Sequence, residues 1–403
     1  MGHRSGSHAQ AYQPLDVCAY KYFFRTGDTR QCRLYNLRLV QKDPTKGPLL
    51  MIAGVGVRAN IFRPPGQVTL VDLLLEEGYD VWLLDWRACI EWGANPPPWP
   101  KQQPGGWYSA GLINLDDLSS PPPWPEDLAD ETDPEELRWC LDHAALYDHP
   151  YAVRAITEIT KHATIKAVVH CLGSIGFMMA AVQGLLPQVT TVVSNAVSLH
   201  PVVPWWTDLK CRLSRSFVSK LVAYLDSQWG TTEAAPNWLV KLVLMAMQWG
   251  HFECMNLVCK LASFSYGVGL PTLPVLWRHE NLSPEVHQWI KYEFGKVLME
   301  MFKQLERSWQ YGNMVRLADL KGLPEDYASQ EPKTGDTRIA FFAGELNVCW
   351  LKESQERSFD FFNKYRPNYH SLHILPGYSH LDMFIGKYTA RDVFPLMLEE
   401  LRK

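Results

Sequence analysis

One octapeptide constrains this chain more than any other stretch: Ala167-Val168-Val169-His170-Cys171-Leu172-Gly173-Ser174. It lies within an almost wholly apolar run from Lys166 to Pro187, long enough to suggest a membrane span. His170, Gly173, Ser174 and Gly176 divide that run into a short strand, a tight turn and a helix, so it reads as buried core. A strand that passes directly into a helix strains the backbone at the junction. A nucleophile placed there needs small residues two positions to either side. If the strand ends at His170, Cys171 takes that position with Gly173 two ahead, although Val169 two behind is bulkier than usual. Ser174 is the rival, with Gly176 two ahead, but that register puts Leu172 two behind and forces Gly173 into the strand. The register favours Cys171. A buried structural cysteine is the plain alternative.

The rest of the chain supplies a sheet for this junction. CAYKYFFR and QCRLYNLRLV, separated by Gly27, Asp28 and Thr29, predict an antiparallel hairpin. LLMIAG follows as a strand buried on both faces. Thr69 and Asp72 then open a Leu-rich helix that Gly78 closes, and YDVWLLDW is the next strand. The pattern resumes with a helix opened by Asp148 and Pro150, then IKAVVH, SIGFMMAAVQGLL and VTTVVSN. It returns late in RIAFFAG, a helix from about Ser354 to Tyr365, SLHIL and a closing helix ending LEELRK. Strand and helix alternating with short links predict an α/β fold. Its sheet should be mostly parallel and twisted, with helices on both faces.

Two segments interrupt the alternation. Residues 94–136 carry NPPPWP, SPPPWP and an acidic run, which suits a stiff surface loop. Residues 201–334, rich in Trp and Met, read as a helical lid inserted between core strands, dividing the core into residues 1–200 and 335–403. A lid there would cover the carboxyl ends of the strands, where open α/β sheets bind ligands. Trp205 and Trp206, with Trp229, Trp249 and Trp277, are candidates to line a hydrophobic pocket, although simple packing accounts better for any single one.

A thiol nucleophile needs an oxyanion site and a base. The N–H of Leu172 at the helix start is one expected oxyanion donor, and the N–H of Val55, in Ala53-Gly54-Val55-Gly56, is the second. The helix N-terminus should also lower the thiol pKa. Of the 13 histidines, His380 follows the last strand, where the order nucleophile, acid, histidine places the base. His170 is adjacent to Cys171, but its side chain should point the other way. The acid position after RIAFFAG is held by Asn347. A thiolate–imidazolium pair balances its own charge, so a neutral amide can orient the ring. Glu345 and Asp382 are possible substitutes.

Other chemistries find less support. With 39 basic and 43 acidic side chains the net charge is -4, which argues against a nucleic-acid partner. The 9 cysteines are scattered without a C-x-x-C pair, which fits a reducing, cytoplasmic setting better than a disulfide framework. The first residues lack the apolar segment of a secretory signal, and no transmembrane segment is expected. His251, Glu253, Cys254 and Cys259 hint at metal ligands, but their offsets do not converge on one helix face. No phosphate-binding glycine loop is present. Neither metal nor cofactor is expected.

Several motifs carry a resemblance over nearly the whole chain: GVGVRANIFRPPG, EEGYDVWLLDWRA, YDHPYAVRAI, VVHCLGS, VSNAVSLHPVVPWW, FFAGELNVCWLKESQ and LPGYSHLDMFIGKYTARDVFP. Together they resemble an α/β-hydrolase family, the hydrolase-like portion associated with GMC-type (cholesterol-oxidase-like) oxidoreductases. The ending around His380 is also similar to acid lipases. The resemblance implies an α/β-hydrolase fold with Cys171, Asn347 and His380 at the triad positions. It implies no oxidase activity, because the flavin-binding glycine fingerprint is absent.

The expected function is therefore acyl transfer or hydrolysis on a hydrophobic ester, lactone or thioester, including a carrier- or CoA-bound thioester. Lyase, cyclase or isomerase chemistry on the same scaffold is an alternative, as is a non-catalytic protein that binds a hydrophobic ligand as partner of an oxidoreductase.

Overall fold

The computed structural model describes residues 12–89, 105–114, 139–217, 224–230, 238, 241–242, 254, 256–266 and 276–403. Most of the Pro-rich segment, together with Trp249, His251 and Glu253, lies outside them.

The strands are β1 (Val17–Arg25), β2 (Gln31–Leu39), β3 (Pro48–Ile52), β4 (Asp80–Asp85), β5 (Trp107–Ile113), β6 (Ile165–His170), β7 (Val189–Asn195), β8 (Tyr224–Asp226), β9 (Lys296–Leu298), β10 (Arg338–Gly344) and β11 (Ser371–Leu375). The main helices are α1 (Leu70–Glu76), α2 (His149–Thr160), α3 (Cys171–Val182), α4 (Trp205–Phe217), α5 (Leu257–Tyr266), α6 (Pro284–Trp289), α7 (Met299–Tyr311), α8 (Glu353–Tyr365) and α9 (Phe394–Arg402).

Among the described residues, nine strands form one sheet in the order β11-β10-β7-β6-β3-β4-β2-β1-β5. The stretch from β11 to β4 is parallel, and β2, β1 and β5 extend it antiparallel. Strand β5 is a departure from the predicted surface loop. Its residues pair with β1, with a register shift at Lys21/Tyr22. From β3 the chain winds outward through β4, whereas from β6 it winds the other way through β7, β10 and β11. The reversal opens a crevice at the carboxyl ends of β3 and β6, the place where open α/β sheets take ligands.

Local sequence explains the central elements. Strand β3 is buried at every residue, as expected of a parallel strand covered on both faces. Helix α1 has a reciprocal capping box between Thr69 and Asp72, a device that contributes on the order of 1 kcal/mol. Helix α3 is buried at all positions, so it shows no polar stripe. Asp148 does not cap α2 as the sequence suggests. A turn at Leu141–His143 and a wider π-type turn at Ala144–Asp148 lead continuously into the helix. The Asp148 carboxylate instead pairs with the Arg87 guanidinium at 2.6 Å, and Asp28 of the first hairpin holds the same group at 2.7 Å. Removing one partner from such a buried pair costs about 3–5 kcal/mol.

The segment between β7 and β10 is anchored to this core by Asp142. Its buried carboxylate accepts hydrogen bonds from the Leu317 and Ala318 N–H groups, the Tyr327 hydroxyl and the Gln304 amide. No helix among the described residues is long and apolar enough to cross a membrane.

Candidate active site

Strand β6 ends at His170 and helix α3 begins at Cys171, which is held in the left-handed region at φ 55°. A non-glycine residue there is strained and calls for a functional explanation. Gly173 lets the turn close onto β3. A Cβ at that position would stand 2.2 Å from the Ala53 carbonyl oxygen. At Gly54 a Cβ would lie 3.0 Å from that of Cys171. Small residues are therefore required on both sides of the thiol.

Ser174 stands apart from this arrangement. Its hydroxyl is fully buried and lies 2.8 Å from that of Ser194, in a chain that continues through Ser198 to Gln355. That chain links α3, β7 and α8, and Ser174 does not line the cavity above Cys171.

His380 and His170 both converge on Cys171, and one ligand atom from each of the three residues lies within 4.8 Å of the others. The two imidazole centroids are 4.6 Å apart. The expectation that His170 points away is thus corrected. Strand alternation ends where the left-handed residue turns the chain, so His170 and Cys171 face a common space. The Nδ1 atom of His170 is 2.9 Å from the Asn195 amide.

Asn347 follows β10 and lies 3.2 Å from Nδ1 of His380 through its amide nitrogen. Its Oδ1 accepts the N–H groups of Cys349 and Trp350 at 3.0 and 3.1 Å. Because backbone N–H groups only donate, this network fixes which amide atom is which. The nitrogen must face the ring and donate to Nδ1. A neutral His380 then carries its own proton on Nε2. Neither suggested substitute takes over. Glu345 is exposed. The buried Asp382 carboxylate instead accepts from Ser379 N–H, Arg278 N–H and the Asn281 amide at 2.8, 3.3 and 2.7 Å. It braces the loop carrying His380, and burial pushes its pKa up to about 6.

Burial also sets the electrostatics. It pushes the Cys171 thiol up to about 12, outweighing the Leu172 N–H and the Trp350 indole, which favour the thiolate. It takes His380 down to about 3 and His170 well below its ordinary value, helped by the neighbouring His380. The resting pair is therefore thiol and neutral imidazole. The thiolate–imidazolium pair and depressed thiol pKa expected from the helix N-terminus do not form, because desolvation of a charge exceeds the benefit of one helix end.

Above the thiol is an apolar cavity. Val55 and Leu172 line it beside Cys171. Val203, Thr207, Lys210 and Cys211 come from α4 or the residues before it, and Tyr266, Met301, Phe302, Leu305, Cys349 and Trp350 also contribute. The Tyr266 hydroxyl donates to the Val55 carbonyl at 2.8 Å, which fixes that loop peptide. Trp205 and Trp206 do not line the cavity. Trp205 is 72% exposed and packs edge-on against Trp206, while Thr207 and Lys210 of the same helix turn inward. Trp229 and Trp277 are buried packing residues against Tyr224 and Phe294.

Trp350 went unrecognised in the sequence. Its buried Nε1–H makes no hydrogen bond of ordinary geometry among the described residues, yet it is near enough to Cys171 to favour the thiolate. Only its position three residues after Asn347 could have signalled it.

No family model and no curated protein matches the chain. Solved structures are similar at low identity. DcsB in complex with its substrate analogue has 14% identity, covers 95% of this chain and 98% of its own, and gives a TM-score of 0.51. The alpha/beta hydrolase GrgF from Penicillium sp. sh18 has 14% identity, coverage of 95% and 96%, and a TM-score of 0.46. A thermophilic esterase from Thermogutta terrifontis has 11% identity, coverage of 94% and 97%, and a TM-score of 0.46. The chain has the α/β-hydrolase fold. In this α/β-hydrolase scaffold the junction residue is a cysteine and the position after β10 an asparagine.

Proposed function

We propose that the protein is a cysteine-dependent acyl-transfer enzyme acting on a hydrophobic ester, lactone or thioester through an acyl-thioenzyme. The observation that carries this reading is the left-handed Cys171, whose residue lines an apolar cavity beside two histidines. The segment 201–334 acts as the lid over that cavity.

In the proposed reaction the Cys171 sulfur attacks the acyl carbon as its proton passes to an imidazole. The N–H groups of Leu172 and Val55 hold the oxyanion, and the Trp350 indole supports the sulfur as it gains charge. Collapse expels the alkoxide or thiolate, which takes the proton back, and water or another acceptor then releases the acyl group. His380 is the proton carrier and Asn347 orients it. At rest, Asn347 leaves the proton of the ring on Nε2, the nitrogen remaining for the thiol. Abstraction needs the other tautomer, so substrate entry must turn the ring or the amide.

Intact-mass analysis of the full chain mixed with a panel of hydrophobic acyl esters and thioesters tests the reading. The expected result is a single acyl adduct on Cys171, discharged by hydroxylamine and absent from Cys171→Ala. Turnover without an adduct, unchanged in Cys171→Ala, would refute it and point to lyase or isomerase chemistry.

A further inference from the structure

A second cysteine–histidine group lies outside this site. Cys254, Cys259, His279 and His287 bring one ligand atom each within 4.8 Å of all the others. Cys259 Sγ is 3.3 Å from His279 Nε2, and the two imidazole rings meet edge to face at 80° with centroids 4.9 Å apart. In tetrahedral zinc sites, Zn–S of about 2.3 Å and Zn–N of about 2.05 Å imply ligand separations of roughly 3.3–3.8 Å. The Cys259–His279 edge, at 3.3 Å, lies within about 0.3 Å of the separation of a tetrahedral sulfur–nitrogen pair. We propose that these four residues form a Cys2His2 zinc site.

The surroundings support a metal rather than a disulfide. Neither cysteine is joined in a disulfide, and a disulfide would leave the convergence of two imidazoles unexplained. Two sulfurs with two nitrogens in a compact set select Zn2+ among the common divalent ions. Asn256 provides an outer shell. Its Oδ1 accepts the Cys259 N–H at 3.2 Å, its amide donates to the His287 carbonyl at 2.9 Å, and its own carbonyl lies 3.8 Å from the Cys254 sulfur. One side chain thus orients ligands from α5 and α6, the kind of support that ligand shells require. The proton balance is simple. Zn2+ displaces both thiol protons to solvent and is bound by two thiolates and two neutral imidazoles, giving a neutral site.

The site also reaches the proposed catalytic histidine. His279 is flanked by Arg278 and Asn281, and both donate to the Asp382 carboxylate that holds the Ser379 N–H. The Leu381 N–H donates to the Leu276 carbonyl at 2.7 Å. Zinc would therefore fix the loop against which His380 is positioned. The zinc ligands are positioning residues and do not touch substrate. This link rests on the function proposed above, whereas the metal site does not.

Metal analysis of the full chain purified without chelator should find one zinc per chain. Replacement by Co2+ should give the visible bands of tetrahedral cobalt with sulfur charge-transfer absorption. Asn256→Ala should weaken binding by roughly 10- to 100-fold, and Cys254→Ser or His287→Ala by more than that. Cys18→Ser on β1 should retain full occupancy. Stripping the wild-type chain with a chelator should lower its unfolding temperature, and Zn2+ should restore it, which keeps the test valid if a ligand variant fails to fold. Wild-type protein that binds neither Zn2+ nor Co2+ with its thiols reduced, or full occupancy in both ligand variants, would overturn the proposal. If zinc binds but no acyl adduct forms on Cys171, the metal site stands and the catalytic reading falls.

Discussion

Among the described residues, cysteine and histidine join in two clusters of three or more ligand groups, and the two are built for opposite ends. At the junction of β6 and α3 one thiol is paired with His170 and His380, sealed among core elements and open to an apolar cavity. In the segment between β7 and β10, two thiols and two imidazoles close on each other around a common centre, and none of the four lines that cavity. A nucleophile needs one sulfur with space beside it, whereas a structural metal needs its ligands to fill the coordination sphere. Residue type alone would not separate the groups. What separates them is ligand count, the strained backbone at Cys171, and whether empty space adjoins the sulfur.

The largest expected effect comes from removing the Cys171 thiol. Cys171→Ala should lower turnover by at least about 1,000-fold, as loss of a nucleophile does in triad enzymes. Ser174→Ala should stay within a few-fold of wild type and lose about 1 kcal/mol of stability, the worth of a hydrogen bond in its buried hydroxyl chain. An inactive Ser174→Ala with an active Cys171→Ala, measured by steady-state kinetics, would break the contrast outright.

The second effect separates the groups by reactivity. In the zinc-loaded chain, iodoacetamide should spare Cys254 and Cys259, and chelation should expose both. Labelling of Cys171 should be slow in either state, because burial holds its thiol up to about 12. Peptide mass mapping reads both arms. Equal protection of Cys171 by zinc would merge the two sites into one.

Asn347 ranks third. Asn347→Ala should slow turnover by roughly 10- to 1,000-fold, the reach of a general acid–base arrangement. Asn347→Asp places a carboxylate where the amide nitrogen now donates, so Nδ1 would carry a proton and Nε2 would face the thiol as base. A nearby negative charge stabilises imidazolium, so the His380 pKa should rise from about 3. Activity requires the neutral ring, so the acid limb of the pH–rate profile should move to higher pH. An unmoved limb in Asn347→Asp would sever Asn347 from His380.

How much of this could be read in the sequence depended on how far apart the cooperating residues stand. The core strands, the capping box at Thr69 and the junction at Cys171 are local patterns, and periodicity with turn chemistry exposes them. The register favours Cys171 over Ser174 by setting Gly173 two ahead, and the structure gives the reason a small residue sits there: a Cβ would stand 2.2 Å from the Ala53 carbonyl oxygen. The orientation of His170 was not legible, since one left-handed residue cancels the alternation a strand predicts. The direction of the Asn347 hydrogen bond depends on two backbone N–H groups that no composition reveals. The zinc ligands were hidden for a third reason. Cys254 and Cys259 converge with His279 and His287 only after the chain has folded back, so offsets within one helix could not show it.

Trp350→Phe should act more weakly. It keeps the ring and removes only the indole N–H. Turnover should fall roughly tenfold, equivalent to about 1.4 kcal/mol of lost support for the charged sulfur. Zinc content should not change. An undiminished rate would remove Trp350 from the nucleophile's surroundings.

The smallest effect is expected at Trp205, where the sequence raised the prospect of substrate contact and the structure shows solvent. The side chain is 72% exposed and absent from the cavity wall, whereas Phe302 and Leu305 of α7 line it. Deleting an exposed ring leaves no hole, so Trp205→Ala should change stability by less than about 0.5 kcal/mol and leave the ratio of long-chain to short-chain turnover unchanged. Phe302→Ala enlarges the space beside the thiol and should shift that ratio towards bulkier acyl groups. Measuring both variants on matched acetyl and long-chain esters decides where the specificity wall lies. If Trp205→Ala shifts the ratio and Phe302→Ala does not, the substrate follows the outer surface of α4 instead of the cavity between α4 and α7. The apolar space at Cys171 would then lose its part in the contrast between the two cysteine–histidine groups.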